Sequence, residues 1–161
     1  MKIFQKAIQG IGIVLLALFT FIMLLNFLSA PDSKGLFGYK GYIILSGSME
    51  SVLTPGDFII VKDHPYQTIR ENDVVTFEME NRVITHRVIK LSTAGLTTKG
   101  DANTVEDNSQ VTKRDYIGTL KLALPYIGRI ILLLQKPYMI AIYIVLIGSY
   151  FIFSSFDKKK K

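Results

Sequence analysis

The chain has 161 residues, of which 49% are hydrophobic, and its mean hydropathy is +0.32. That is apolar for a soluble domain, and the length suits about one domain. Its 19 Lys and Arg against 13 Asp and Glu leave +6, but between Ser29 and Lys136 the balance is only +1. The middle therefore lacks the clustered cations that phosphate neutralisation needs, which excludes nucleic acid as a partner. With no Cys there is no disulfide framework, thiolate nucleophile or thiolate metal site. Two His and no HExxH pattern leave no zinc hydrolase motif, so neither metal nor cofactor is expected.

In chain order, residues 1–6 are a basic N-terminus carrying Lys2 and Lys6. Residues 7–28 form an apolar run, roughly 33 Å long as a helix, enough to cross a ~30 Å hydrocarbon core. A cleavable signal peptide is the rival reading. The run exceeds the usual ~7–15-residue apolar region. Its small-residue boundary, Ser29-Ala30, is followed by Pro31, whose tertiary amide and fixed φ disfavour cleavage there. An uncleaved anchor is expected.

The middle, residues 29–137, reads as β. Gly41–Leu45 is a short apolar run broken by Ser46-Gly47-Ser48, and Phe58–Val61 follows the turn signal Pro55-Gly56-Asp57. Asp73–Glu80 and Arg82–Leu91 are rich in β-branched residues and join at Glu80-Asn81 as a hairpin. Leu96–Lys99 and Tyr116–Leu122 are further strands. Without βα alternation a doubly wound sheet is disfavoured. Residues 138–156 form a second uncharged apolar run, roughly 28 Å as a helix, and residues 157–161 end in Lys158–Lys161. The expected fold is mainly β: a small antiparallel domain flanked by two transmembrane helices. The positive-inside rule puts both termini in the cytoplasm and the middle outside.

Three places carry candidate chemistry. Ser46-Gly47-Ser48-Met49 sets two hydroxyls around a Gly; it is either a turn or a nucleophile on a bend whose N–H groups converge. His86, in Ile84-Thr85-His86-Arg87-Val88, shares a strand face with Ile84 and Val88. It is either a core residue or a general base, and burial favours the neutral imidazole a base requires. His64, before Pro65, reads as a surface residue. Lys99-Gly100-Asp101-Ala102-Asn103-Thr104-Val105-Glu106-Asp107 is either a loop or the source of a carboxylate that orients His86. It meets a calcium-loop pattern only in part, because Val105 occupies the third liganding position.

These three motifs, in this order between two anchors, resemble type I signal peptidase. The likeness is to the branch of the endoplasmic reticulum, archaea and some Gram-positive bacteria, peptidase family S26B. The resemblance implies a signal-peptidase-like β domain and cleavage of N-terminal signal peptides after small residues. It implies Ser48 as nucleophile and Ser46 with the Ser48 N–H as oxyanion hole. It implies His86 as base where the common bacterial branch has Lys, and Asp107 as triad acid with Asp101 the second choice. Lys90 and Lys99 are rival bases. Ala102 stands where the family often has a polar residue, and Asp57 supports a turn. The partners implied are secretory preproteins and the lipid bilayer, with the translocation channel a further candidate. The plasma membrane of a bacterium or archaeon is favoured over the endoplasmic reticulum. The rival from another class is a non-catalytic two-span adaptor; a closer one keeps the peptidase but uses a Ser-Lys dyad.

Overall fold

The computed structural model describes residues 2–28, 35–139, 141–142, 144–145 and 147–149. Ser29, Ala30, Pro31, the Lys tail and the second apolar run beyond residue 149 lie outside them. The chain divides into two units, Leu25–Arg129 and Met1–Leu24 with Ile130–Lys161.

Helix α1 spans Lys2–Leu28 and contains the first apolar run. The described residues from 137 to 149 are helical as well. Among the described residues no helix is long and apolar enough to cross a membrane.

Among the described residues six strands follow α1: β1 (Tyr39–Ile43), β2 (Phe58–Lys62), β3 (Val74–Met79), β4 (Arg82–Leu91), β5 (Leu96–Lys99) and β6 (Tyr116–Leu124). They form one sheet in the order β1-β2-β6-β3-β4-β5, every pairing antiparallel. The expected mainly antiparallel β domain is present, with strand limits close to those read from β-branched runs. β1 starts two residues earlier than expected and ends at Ile43. There the chain leaves its ladder: Ile44 donates to the Asp57 carbonyl (2.9 Å) and accepts from Gly56 (2.8 Å). The β3–β4 turn is Glu80-Asn81, with φ of 51° and 59°. Two left-handed residues give the twist a two-residue hairpin needs.

Period-two alternation on β3 separates two apolar clusters. Val74 joins Ile44, Met49, Leu53, Ile59, Val61 and Ile117, while Val75 and Phe77 join Ile69, Val88, Leu96 and Val111. The sheet is thus covered on both faces. On the Val74 face, the cross-strand partners Thr76 and Thr85 share a buried hydroxyl hydrogen bond of 2.8 Å.

Helix α2 (Ile127–Leu134) was not expected from the sequence, because eight residues, apolar but for Gly128 and Arg129, are too short a run to tell a helix from a strand by period. His64 also departs from expectation. It is half-buried, and its Nε2 is enclosed without a hydrogen-bond partner among the described residues. Tyr116 packs edge-on to Tyr66 at 5.8 Å and is held by the His64 backbone, which draws this loop inward.

Asp57 ties the turn before β2 to the start of α2. It is 5% exposed; Oδ2 accepts from the Thr54 N–H (2.9 Å) and Oδ1 from the Tyr126 N–H (3.1 Å). Burial alone would raise its carboxyl, but those two N–H groups, the Thr54 hydroxyl and the Arg129 guanidinium outweigh it and hold the carboxyl below its ordinary range. Asp57→Ala should destabilise the protein by about 3 kcal/mol, since two N–H groups lose a charged acceptor. A depressed carboxyl contributes stability above its unfolded value of about 3.9, and that contribution is lost as pH falls through the folded value. Denaturant titrations should show the gap between wild type and Asp57→Asn at neutral pH shrinking in strong acid.

Candidate active site

Ser48 stands on a single 3-10 turn, Gly47–Met49, just after β1. The turn is pinned from below by Met49, 1% exposed in the first apolar cluster, and closed by Glu50 N–H to Gly47 O (2.9 Å) and Leu53 N–H to Met49 O (2.8 Å). A large apolar side chain directly after Ser48 therefore fixes the turn and leaves the hydroxyl facing β4. The Ser46 and Ser48 hydroxyl oxygens lie 3.3 Å apart.

His86 is carried by β4 opposite Val75, is 7% exposed, and meets the Phe77 ring edge-on at 6.3 Å. Its Nδ1–H donates to Asp107 Oδ2 at 2.7 Å, and its Nε2 accepts from the Ser48 hydroxyl at 3.1 Å. An ionised carboxylate only accepts, so Asp107 keeps the imidazole proton on Nδ1 and leaves the Nε2 lone pair towards Ser48. The same Asp107 oxygen accepts from the Thr98 hydroxyl at 2.7 Å, and the Asp107 N–H donates to the Thr98 carbonyl at 2.9 Å. Thr98 is fully buried on β5, so Asp107 is held at both its backbone and its side chain.

Asp101 points elsewhere. It takes a two-pronged ion pair from Arg87, at 2.8 Å from Nε and 2.6 Å from Nη2, while Arg87 Nη1 donates to the Asn72 carbonyl at 2.8 Å. The structure thus brings Ser46, Ser48, His86 and Asp107 together and places Asp101 against Arg87. The loop between the two acids meets the serine turn from behind. Ala102 N–H donates to the Ser48 carbonyl at 2.9 Å, and Asp101 N–H points at the Met49 sulfur at 3.4 Å. A Cβ on Gly100 would fall 2.5 Å from the Ser48 carbonyl oxygen and 3.0 Å from His86 Nε2. Only glycine fits that approach.

Sequence reasoning missed Thr98, Arg87 and Gly100 as parts of this arrangement. Arg87 adjoins His86 and has an Asp in the next motif as an available partner. The Lys99–Gly100 step marks where strand gives way to a close backbone approach. Neither Lys90, exposed on β4, nor Lys99 borders the cavity at Ser48.

That cavity is a groove of about 650 Å³. Its walls are the consecutive residues 42–46 and 82–86, with Ser48 and Met49 between them. Consecutive residues on each wall mean that strand edges, rather than one strand face, border it. Among the described residues the strand paired with β1 is β2, and β5 pairs with β4 from Arg87 onward, so residues 82–86 have an open edge there.

No family model matches the chain. Signal peptidase I W of Bacillus subtilis (strain 168) is 32% identical over 117 residues, 67% of this chain and 62% of that protein. The human signal peptidase complex catalytic subunit SEC11C is 32% identical over 107 residues, 58% of this chain and 56% of that protein. The Lodderomyces elongisporus subunit SEC11 is 33% identical over 108 residues, 58% of this chain and 64% of that protein. The chain is a relative of the type I signal peptidases. It spans roughly three-fifths of the length of these curated relatives, which include both bacterial and signal-peptidase-complex enzymes.

The Arg87–Asp101 pair holds the loop that carries Asp107, so its loss is expected to act on stability. Side-chain exposures of 27% and 15% place the pair between surface and interior. Arg87→Met should cost about 2 kcal/mol, less than the ~3–5 kcal/mol of a fully buried broken pair. Arg87→Lys should recover only part of this, since an ammonium cannot reproduce the planar fork. Denaturant unfolding of the three proteins measures it.

Proposed function

We propose that the protein is a membrane-anchored serine endopeptidase that removes signal peptides from secretory preproteins. The observation that carries this reading is the unbroken path Ser48 Oγ–His86 Nε2 and His86 Nδ1–Asp107, with contacts of 3.1 and 2.7 Å. A two-span adaptor has no use for a hydroxyl aimed at an imidazole whose far nitrogen is fixed by a carboxylate. The kinship with signal peptidases supports the same conclusion.

In this mechanism Ser48 attacks the scissile carbonyl while His86 Nε2 takes its proton. The imidazolium then gives that proton to the leaving amine, and water enters by the reverse sequence. Asp107 orients the imidazole and offsets its transient charge; Thr98 holds Asp107. The Ser46 hydroxyl and the Ser48 N–H receive the oxyanion, at about 3–4 kcal/mol per donor. A preprotein lies extended between the open edges of β1 and β4, where main-chain hydrogen bonds give affinity and side-chain room gives specificity. Small residues at the first and third positions before the bond fit a groove bordered by Ile44, Leu45, Val83 and Ile84.

The two apolar runs, residues 7–28 and 138–156, anchor the enzyme with both termini in the cytoplasm and residues 29–137 outside. The plasma membrane of a bacterium or archaeon is the favoured location, beside a translocation channel that delivers the substrate. Enzyme and substrate then share one bilayer, which raises their effective concentration.

Cleavage of a test preprotein by the full chain in detergent decides the chemistry. Ser48→Ala, His86→Ala and His86→Lys should each abolish it, and Asp107→Ala should lower the rate by up to about 10⁴-fold. Lys90→Ala should retain most of it. Activity that survives His86→Ala and disappears in Lys90→Ala restores a Ser-Lys dyad.

A chain without Cys suits a topology test by single substitutions. Phe4→Cys and Lys160→Cys should both resist an impermeant thiol reagent in intact cells, while Lys113→Cys should react. Labelling at one terminus alone removes the second span.

A further inference from the structure

The two ends of the groove differ in chemistry. Ser48 and His86 occupy one end, and each wall runs back from it, to Arg82 on β4 and to Tyr42 on β1. Four antiparallel pairings, β1–β2, β2–β6, β6–β3 and β3–β4, separate the two walls. The walls therefore run in the same sense, both towards the catalytic end, and Tyr42 and Arg82 share the far one.

Among the described residues, Arg82 is the one permanently charged residue bordering the groove. It is exposed and makes no ion pair among the described residues. The Tyr42 hydroxyl is enclosed and finds no hydrogen-bond partner among them. Burial first, and then the Glu78 carboxylate, push the Tyr42 phenol up to about 12, so it stays a neutral donor. Glu78 itself borders a different cavity, of about 690 Å³, at the β3–β4 turn with Glu80 and Asp115. Among the described residues a cation without an ion pair and an unused donor thus both border the upstream end of the groove, with Ile43, Ile44, Val83 and Ile84 between them and the catalytic end.

We propose that this far end selects by charge: it favours substrates with a carboxylate about five residues before the scissile bond and disfavours a cation there. The inference rests on the peptidase reading above. A substrate strand laid along β4 places the residue at the bond beside His86. Alternate residues advance ~6.6 Å, so the third residue meets Ile84 and the fifth meets Arg82. The guanidinium is partly solvated, so a facing carboxylate gains about 2- to 5-fold in kcat/KM and a facing ammonium loses as much.

The experiment uses three substrates that differ only at that fifth residue, as Glu, Gln or Lys, cleaved by the full chain in detergent. Each enzyme is its own reference, read as the ratio of kcat/KM for Glu over Lys. Wild type should give a ratio of roughly 4- to 25-fold, and Arg82→Lys should keep a ratio above one. Arg82→Gln should bring it to about one, and Arg82→Glu should invert it. Cleavage with equal rates for Glu and Lys in wild type, or a preference unchanged in Arg82→Gln, overturns the inference and leaves the peptidase reading intact. Failure to cleave any of the three overturns both.

Discussion

Behind Ser48 two segments approach so closely that the residue at their contact has no side chain. The Ser48 carbonyl, the Ala102 N–H and the Cα of Gly100 meet where a Cβ would stand 2.5 Å from an oxygen. This contact sets the height of the serine turn relative to β4, and therefore the 3.1 Å between hydroxyl and imidazole. It also sets where the chain after β5 must go. Having passed behind Ser48, it is carried round to Asp107, whose N–H returns to Thr98. One close backbone approach thus positions both groups that flank His86.

The elements around that contact divide the work between packing and charge. Met49 anchors the serine turn by burial, whereas the acid loop, with little apolar content, is held by Arg87–Asp101 and by backbone hydrogen bonds. A ring edge from Phe77 and the buried Thr76–Thr85 pair stiffen the strand beneath His86. Side chains whose own rotamers are locked in this way keep a reacting geometry within the tolerance that acid–base transfer demands.

Much of the sheet was legible in the sequence because its strands are β-branched runs cut by unmistakable turn residues, such as Pro55-Gly56-Asp57 and Glu80-Asn81. Strand order was not. β6 inserts between β2 and β3, and nothing in the pattern of Tyr116–Leu124 names its neighbours. Helix α2 was hidden because eight residues make too short an apolar run to separate a helix from a strand by period. At the candidate site, Ser48 and His86 were legible as motif residues with a definite chemical need. Asp101 and Asp107 were not separable, since both are carboxylates in one polar loop. What distinguishes them is a third party, Arg87, whose fork fits Asp101. Thr98 was invisible for a related reason: on a strand it reads as a β-former until the carboxylate beside it is seen.

Unpaired strand edges are a hazard to any sheet, because they template the addition of foreign strands and so seed aggregation. The edge of β1 and the first half of β4 face one shared concavity instead of open solvent, although three strands separate them in the sheet. A flat β-sheet from another molecule, which needs one long accessible edge, meets a curved mouth. A single extended segment threaded between the two edges can satisfy both at once. The curl of the sheet thereby turns a surface prone to indiscriminate stacking into one that admits unfolded chain and excludes folded β structure. A segment with stable structure would be screened out before any side chain is read.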